Sequence, residues 1–111
     1  MVEGIKLVVY PVADLAAAKA VFTAGLGVEP STDSPYYVGY EVGDQEIGLD
    51  PSAAPGSGPL VYWKVADIEQ SLKALVGAGA TTAQEPTQVG PERRIAHVTD
   101  PAGNTVSLVQ W

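Results

Sequence analysis

His97 is the sole histidine of the chain, and Ser107 lies on the next run of alternating residues. Side by side on adjacent strands, they would set a titratable nitrogen against a hydroxyl, the parts of a general acid or base. Glu46 and Asp50 are separated by an even step, so one strand face would carry both carboxylates. Their chemistry suits pairing with Lys64, orienting a cationic guest, or acid–base work alongside His97. Tyr37, Tyr62 and Trp111 are candidates for stacking on a flat guest, whereas the alternation assigns Tyr40 and Trp63 to a helix-covered core. Arg93-Arg94 is the one basic cluster, fit either to clamp an anion or to end a loop in solvent. No strained turn presents Ser107 and no third orienting acid is evident, so a serine nucleophile is not indicated. The glycines near Gly56 and Gly58 lack the Lys-Ser/Thr ending of a phosphate loop.

Composition narrows the function classes. The chain has 111 residues, 46% of them hydrophobic, which predicts one compact domain over 1–111 with a real core. Its net charge of −7 repels nucleic acid and anionic membranes, since phosphate neutralisation needs clustered Lys and Arg. A neutral or cationic small ligand fits that field better, although a local pocket can invert it. Cysteine is absent, which removes disulfides, thiolate nucleophiles and thiolate metal ligands and agrees with a cytoplasmic location. The N-terminus enters a strand pattern directly and lacks the features of a signal peptide. No apolar run approaches the roughly 18 residues of a membrane span.

The elements that must position these residues come in two copies. Val9-Tyr10-Pro11-Val12-Ala13-Asp14-Leu15 returns as Tyr62-Trp63-Lys64-Val65-Ala66-Asp67-Ile68. Each copy reads as a strand ending at an Asp that caps a helix. The first helix carries Leu15, Ala18, Phe22 and Leu26 on one side and stops at Gly25 or Gly27. The second carries Ile68, Ser71, Leu72, Leu75 and Val76, with Gln70 at the capping-box position, and stops at Gly77-Ala78-Gly79. Residues 29–35 read as turn chemistry and 81–91 as loop, with at most a short strand. A hairpin about Gly43-Asp44 pairs Val42 with Gln45 and Tyr40 with Ile47. Val38, Tyr40, Val42, Ile47 and Leu49 then face the helix, and Tyr37, Gly39, Glu41, Glu46, Gly48 and Asp50 face away. Residues 94–99 and 104–111 close the chain as two strands. The expected organisation is α+β: a βαβββ module over 1–50, a Pro-, Gly- and Ser-rich linker over 51–59, and a second βαβββ module over 60–111. Two such half-shells would line a U-shaped cavity.

The repeat, the Val-x-Asp-[Leu/Ile] helix openings and Asp100-Pro101-Ala102-Gly103-Asn104 before the last strand resemble the vicinal oxygen chelate superfamily. That group includes glyoxalase I, extradiol dioxygenases, fosfomycin resistance enzymes and bleomycin-resistance binding proteins. Its metal-dependent members place ligands on the first and last strands of each module. The resemblance carries those positions onto Leu7, Gly48, Leu60 and Ser107, which are poor donors for a divalent cation. It therefore implies a chain without the family metal and without a cofactor. The implied cavity wall comprises Ile5, Leu7, Val9, Tyr37, Glu46, Gly48, Asp50, Leu60, Tyr62, Lys64, Ile95, His97, Ser107 and Trp111. By the same resemblance the chain is expected to form a homodimer and to sequester a small aromatic or cationic molecule. The alternative is an enzyme: a metal-free acid–base catalyst using His97 with Asp50 or Glu46, or a glyoxalase-like lyase.

Overall fold

The computed structural model describes residues 2–53 and 58–111. The centre of the expected linker, with Gly56, lies outside them. The element order is β1 (Val2–Pro11), α1 (Leu15–Leu26), β2 (Thr32–Ser34), β3 (Tyr37–Val42) and β4 (Gln45–Asp50), then β5 (Leu60–Val65), α2 (Ile68–Gly77), β6 (Thr81–Gln88), β7 (Arg94–Thr99) and β8 (Thr105–Gln110). This is βαβββ twice, an α+β chain. Two compact units result, one of Lys6–Leu60 and one of Val61–Trp111 with the start of the chain up to Ile5. In the first, strands lie in the order β2-β3-β4-β1, with β1 parallel to β4. In the second the order is β5-β8-β7-β6, with β5 parallel to β8.

The repeated Asp does the same work in both units. Asp14 accepts a hydrogen bond from the Ala17 amide at 3.0 Å, and Asp67 accepts one from the Gln70 amide at 3.1 Å. Each satisfies an amide that the first helical turn leaves without a partner. Helix α1 ends at Gly27, whose φ of 73° only glycine adopts without strain, and not at Gly25.

Leu15, Ala18, Phe22 and Leu26 of α1 pack on Val38, Tyr40 and Leu49, as the helical spacing predicts. Tyr40 is fully buried, and its hydroxyl donates to the Lys19 carbonyl at 3.2 Å and meets the Thr23 hydroxyl at 2.8 Å. In the second unit Ile68 and Leu72 pack on Val65, Ala96, Val98 and Leu108, with Trp63 and Leu75 against them. Val76, expected in that stripe, is 43% exposed, because Ile68, Leu72 and Leu75 already fill the arc facing the sheet.

The hairpin has the expected register, Val42 opposite Gln45 and Tyr40 opposite Ile47. The motif before the last strand is a turn built on one carboxylate. Asp100 Oδ1 accepts from the amides of Ala102 and Asn104, and Oδ2 accepts from the Asn104 side chain. That side-chain bond, with the amides, holds the Asp100 carboxyl below its usual range. Two segments read as turn or loop are strands. Thr32–Ser34 pairs with β3, and Thr81–Gln88 pairs with β7 through two irregularities. Neither has an apolar alternation of its own; a neighbouring strand supplies the hydrogen bonds.

Replacing Tyr40 with Phe removes the hydroxyl from both partners while keeping the ring. Equilibrium denaturation of Tyr40→Phe is expected to show a loss of about 1–3 kcal/mol.

Candidate functional site

A β-strand presents alternate side chains to opposite faces, so each unit has a helix-bearing face and a helix-free one. The candidate chemistry lies on the helix-free faces. In the second unit, β5, β8 and β7 align Tyr62 with Ser107 and Ser107 with His97. The next rung along aligns Lys64 with Val109 and Val109 with Ile95. Ser107 is buried, and its Oγ lies 2.8 Å from His97 Nδ1. The Tyr62 and His97 rings sit 5.7 Å apart at 58°. Burial lowers the His97 pKa below its ordinary 6.5, so the imidazole is neutral at pH 7. A neutral imidazole offers one nitrogen that donates and one that accepts; Ser107 engages one of them.

At the end of these rungs Trp111 lies against two cations. Lys64 Nζ is 4.0 Å and Arg93 Cζ 4.5 Å from the ring centroid, within cation–π range. Arg94, by contrast, donates to Glu69 Oε1 at 2.6 Å, on the α2 side. The Arg93-Arg94 clamp considered from sequence is thus divided: Arg93, in the loop before β7, lies against Trp111, and Arg94, the first residue of β7, reaches Glu69.

In the first unit the helix-free face is floored by glycine. Gly39 lies opposite Gly48, and Gly48 lies beside Val9. The Tyr37 ring covers that floor. A Cβ at residue 48 would overlap the Tyr37 hydroxyl and come within 2.5 Å of Cζ; one at residue 39 would meet Cε2 at 3.1 Å. Gly48 therefore makes room for Tyr37, a through-space reason that residue spacing does not disclose. Glu41 stands directly opposite Glu46. Asp50 accepts from the Ser52 amide at 2.8 Å and the Ser52 hydroxyl at 2.7 Å. Sequence reasoning also missed Val109, which is fully buried on the Tyr62 and His97 face, and a cleft of about 580 Å³ on the helix side. That cleft is lined by Trp63, Val65, Leu75 and Leu108 among others, with Asp67, Gln70 and Ser71 as its polar members.

Residues 4–108 match the Glyoxalase/Bleomycin resistance protein/Dioxygenase superfamily. The chain belongs to that superfamily. Solved structures agree. A superfamily member from Vibrio splendidus 12B01 aligns over 94% of this chain and 95% of its own, with 22% identity and a TM-score of 0.65. Methylmalonyl-CoA epimerase from Mycobacterium tuberculosis aligns over 98% and 88%, with 21% identity and a TM-score of 0.74. A Streptomyces coelicolor methylmalonyl-CoA epimerase variant in complex with 2-nitronate-propionyl-CoA aligns over 99% and 98%, with 14% identity and a TM-score of 0.76. No curated protein sequence matches the chain. At these identities the likeness to solved structures is one of fold.

The four residues that the sequence resemblance aligns with the superfamily's metal ligands offer few donor atoms. Leu7 is a buried hydrocarbon, Leu60 is another hydrocarbon, and Gly48 has no side chain and no space for one beside Tyr37. Ser107 offers a hydroxyl, already bonded to His97. Among the described residues no three His, Asp or Glu side chains converge on a point, and no helix is long and apolar enough to cross a membrane.

Two outcomes follow. Gly48→Ala is expected to cost about 1–3 kcal/mol by displacing the Tyr37 ring, and to add little in a Tyr37→Ala background. Denaturation of the four proteins of that cycle reads the coupling. The second concerns pH. The folded His97 pKa is depressed, so the unfolded chain takes the proton more readily. Its contribution is whole above the unfolded value near 6.5 and is lost as pH falls from there toward the folded pKa. Asp44 and Asp100, held below 3.8, act in a lower window. Urea midpoints should fall between pH 7.5 and 5.5, and His97→Gln should flatten that slope.

Proposed function

We propose that this chain is a metal-independent, small-molecule-binding member of the superfamily that sequesters an aromatic or cationic compound, as the bleomycin-resistance branch does. The observation that carries this reading is the state of the four ligand positions. Leu7, Gly48, Leu60 and Ser107 supply one hydroxyl between them, and His97 engages it. The aromatic side chains Tyr37, Tyr62 and Trp111, with Asp50, Lys64, His97 and Ser107, are the proposed contacts: apolar area with a few directed polar groups. On this reading the protein needs no cofactor and works in the cytoplasm as a homodimer, the last from superfamily likeness.

One observation favours a second reading, a metal-free acid–base enzyme or a glyoxalase-like lyase. His97 is neutral at pH 7 and held by Ser107, as a general base requires. On this reading Asp50 or Glu46 would be the partner carboxylate.

Native mass spectrometry of protein expressed with added zinc, nickel, manganese and iron should show a dimer without a stoichiometric transition metal. One tightly held ion per subunit would overturn the metal-independent reading. His97→Ala then separates binder from catalyst. A binder keeps affinity for a retained molecule within about tenfold, whereas a catalyst loses roughly 100-fold or more in rate.

A further inference from the structure

The binding reading leaves two guest types open, aromatic or cationic, and the second unit discriminates between them. Across β5, β8, β7 and β6 its helix-free face reads Tyr62–Ser107–His97–Gln84 and then Lys64–Val109–Ile95–Thr87. No carboxylate stands on either rung. The acidic side chains of this unit lie off both rungs: Asp67 caps α2, Glu69 bonds Arg94, Asp100 holds its own turn, Glu85 borders a groove against α2, Glu3 is on β1, and Glu92 is exposed in the loop before β7. Lys64 is thus a positive charge on an otherwise neutral pair of rungs, in a chain of net charge −7.

Accessibility selects the surface a guest can reach. Tyr62, Ser107 and Val109 are buried, whereas Lys64, Ile95 and His97 are partly open and Trp111 is 38% exposed. The indole face takes one side of the Lys64 ammonium, which carries three donors. Successive rungs on a strand face lie about 6.6 Å apart, close to the span from a carboxylate to the far edge of one benzene ring.

We propose that Lys64, Ile95, His97 and Trp111 form the receiving surface for a small aromatic acid, its carboxylate at the Lys64 ammonium and its ring against Ile95 toward His97. This deepens the binding reading and rests on it. A cationic guest would meet the Lys64 charge on this surface, so of the two guest types the aromatic one belongs here, and it carries a negative group.

Benzoate, benzamide and benzamidine share a ring and differ in charge, so they serve as probes. Tryptophan fluorescence, or ligand-observed NMR, of the full chain at low ionic strength should rank them in that order, with benzoate at least about fivefold tighter than benzamide. Lys64→Gln should abolish the benzoate advantage over benzamide, and Lys64→Arg should retain it. Equal binding of all three, a preference for benzamidine, or a benzoate advantage that survives Lys64→Gln would overturn the aromatic-acid assignment and leave the binding reading standing. If none of the three perturbs the protein up to about 50 mM, the binding reading falls and the assignment with it.

Discussion

A four-stranded sheet backed by one helix has a second face that the helix does not touch. The placement of the candidate site residues follows from that asymmetry. Strand side chains alternate, so each residue bound for the α1 or α2 core commits its neighbours to the helix-free face. Val38, Tyr40 and Leu49 go to α1. Tyr37, Gly39 and Gly48 are thereby placed together on the other side. Val65, Ala96, Val98 and Leu108 go to α2, which leaves Tyr62, Ser107 and His97 in one row. The hydrophobic pattern that fixes the core also fixes the register of the site. A slip of one residue would turn His97 into the core and Val98 out of it.

This explains what could be read from residue order. The cap, the helical stripe, the glycine stop and the hairpin turn are local signals, each encoded within a few residues. Asp14, Asp67, Gly27 and the Val42–Gln45 pairing therefore fall where the sequence places them. The resemblance of the repeat to its superfamily is carried by the same signals, and the match over residues 4–108 confirms it. Edge strands are different. Thr81–Gln88 has a Pro, a Glu and no apolar alternation, and it is a strand because β7 offers it hydrogen bonds. Such polar, irregular edges resist pairing with other chains, and for that reason they look like loops.

Contacts through space were the least legible. Gly48 reads as a gap in a strand, a lost ligand position with nothing in its place. The structure gives it a tenant, the Tyr37 ring, which covers two glycines at once. Large aromatics over facing glycines restore the packing that missing side chains forfeit. Arg93 and Arg94 make the same point. Adjacent in sequence, they serve Trp111 and Glu69 on opposite faces. The sequence presents them as one cluster because charge is counted along the chain, while the entry from loop into β7 sends the two side chains to different partners.

The His97–Ser107 pair brings the argument to chemistry. The hydroxyl of a buried serine can donate to Nδ1 or accept from it, and the choice sets the other nitrogen. If Ser107 donates, Nε2 carries the proton and offers a hydrogen bond to a carbonyl or phenolic oxygen. If Ser107 accepts, Nε2 is a base. The first suits a guest that accepts a hydrogen bond, the second a guest that gives one or gives up a proton. Desolvation favours neutrality in both cases, since it disfavours only the imidazolium. What separates them is the partner at Nε2. An acceptor there would fix the donor tautomer, and a guest with an acidic hydrogen would fix the other, so the group placed at Nε2 decides which tautomer this side chain holds.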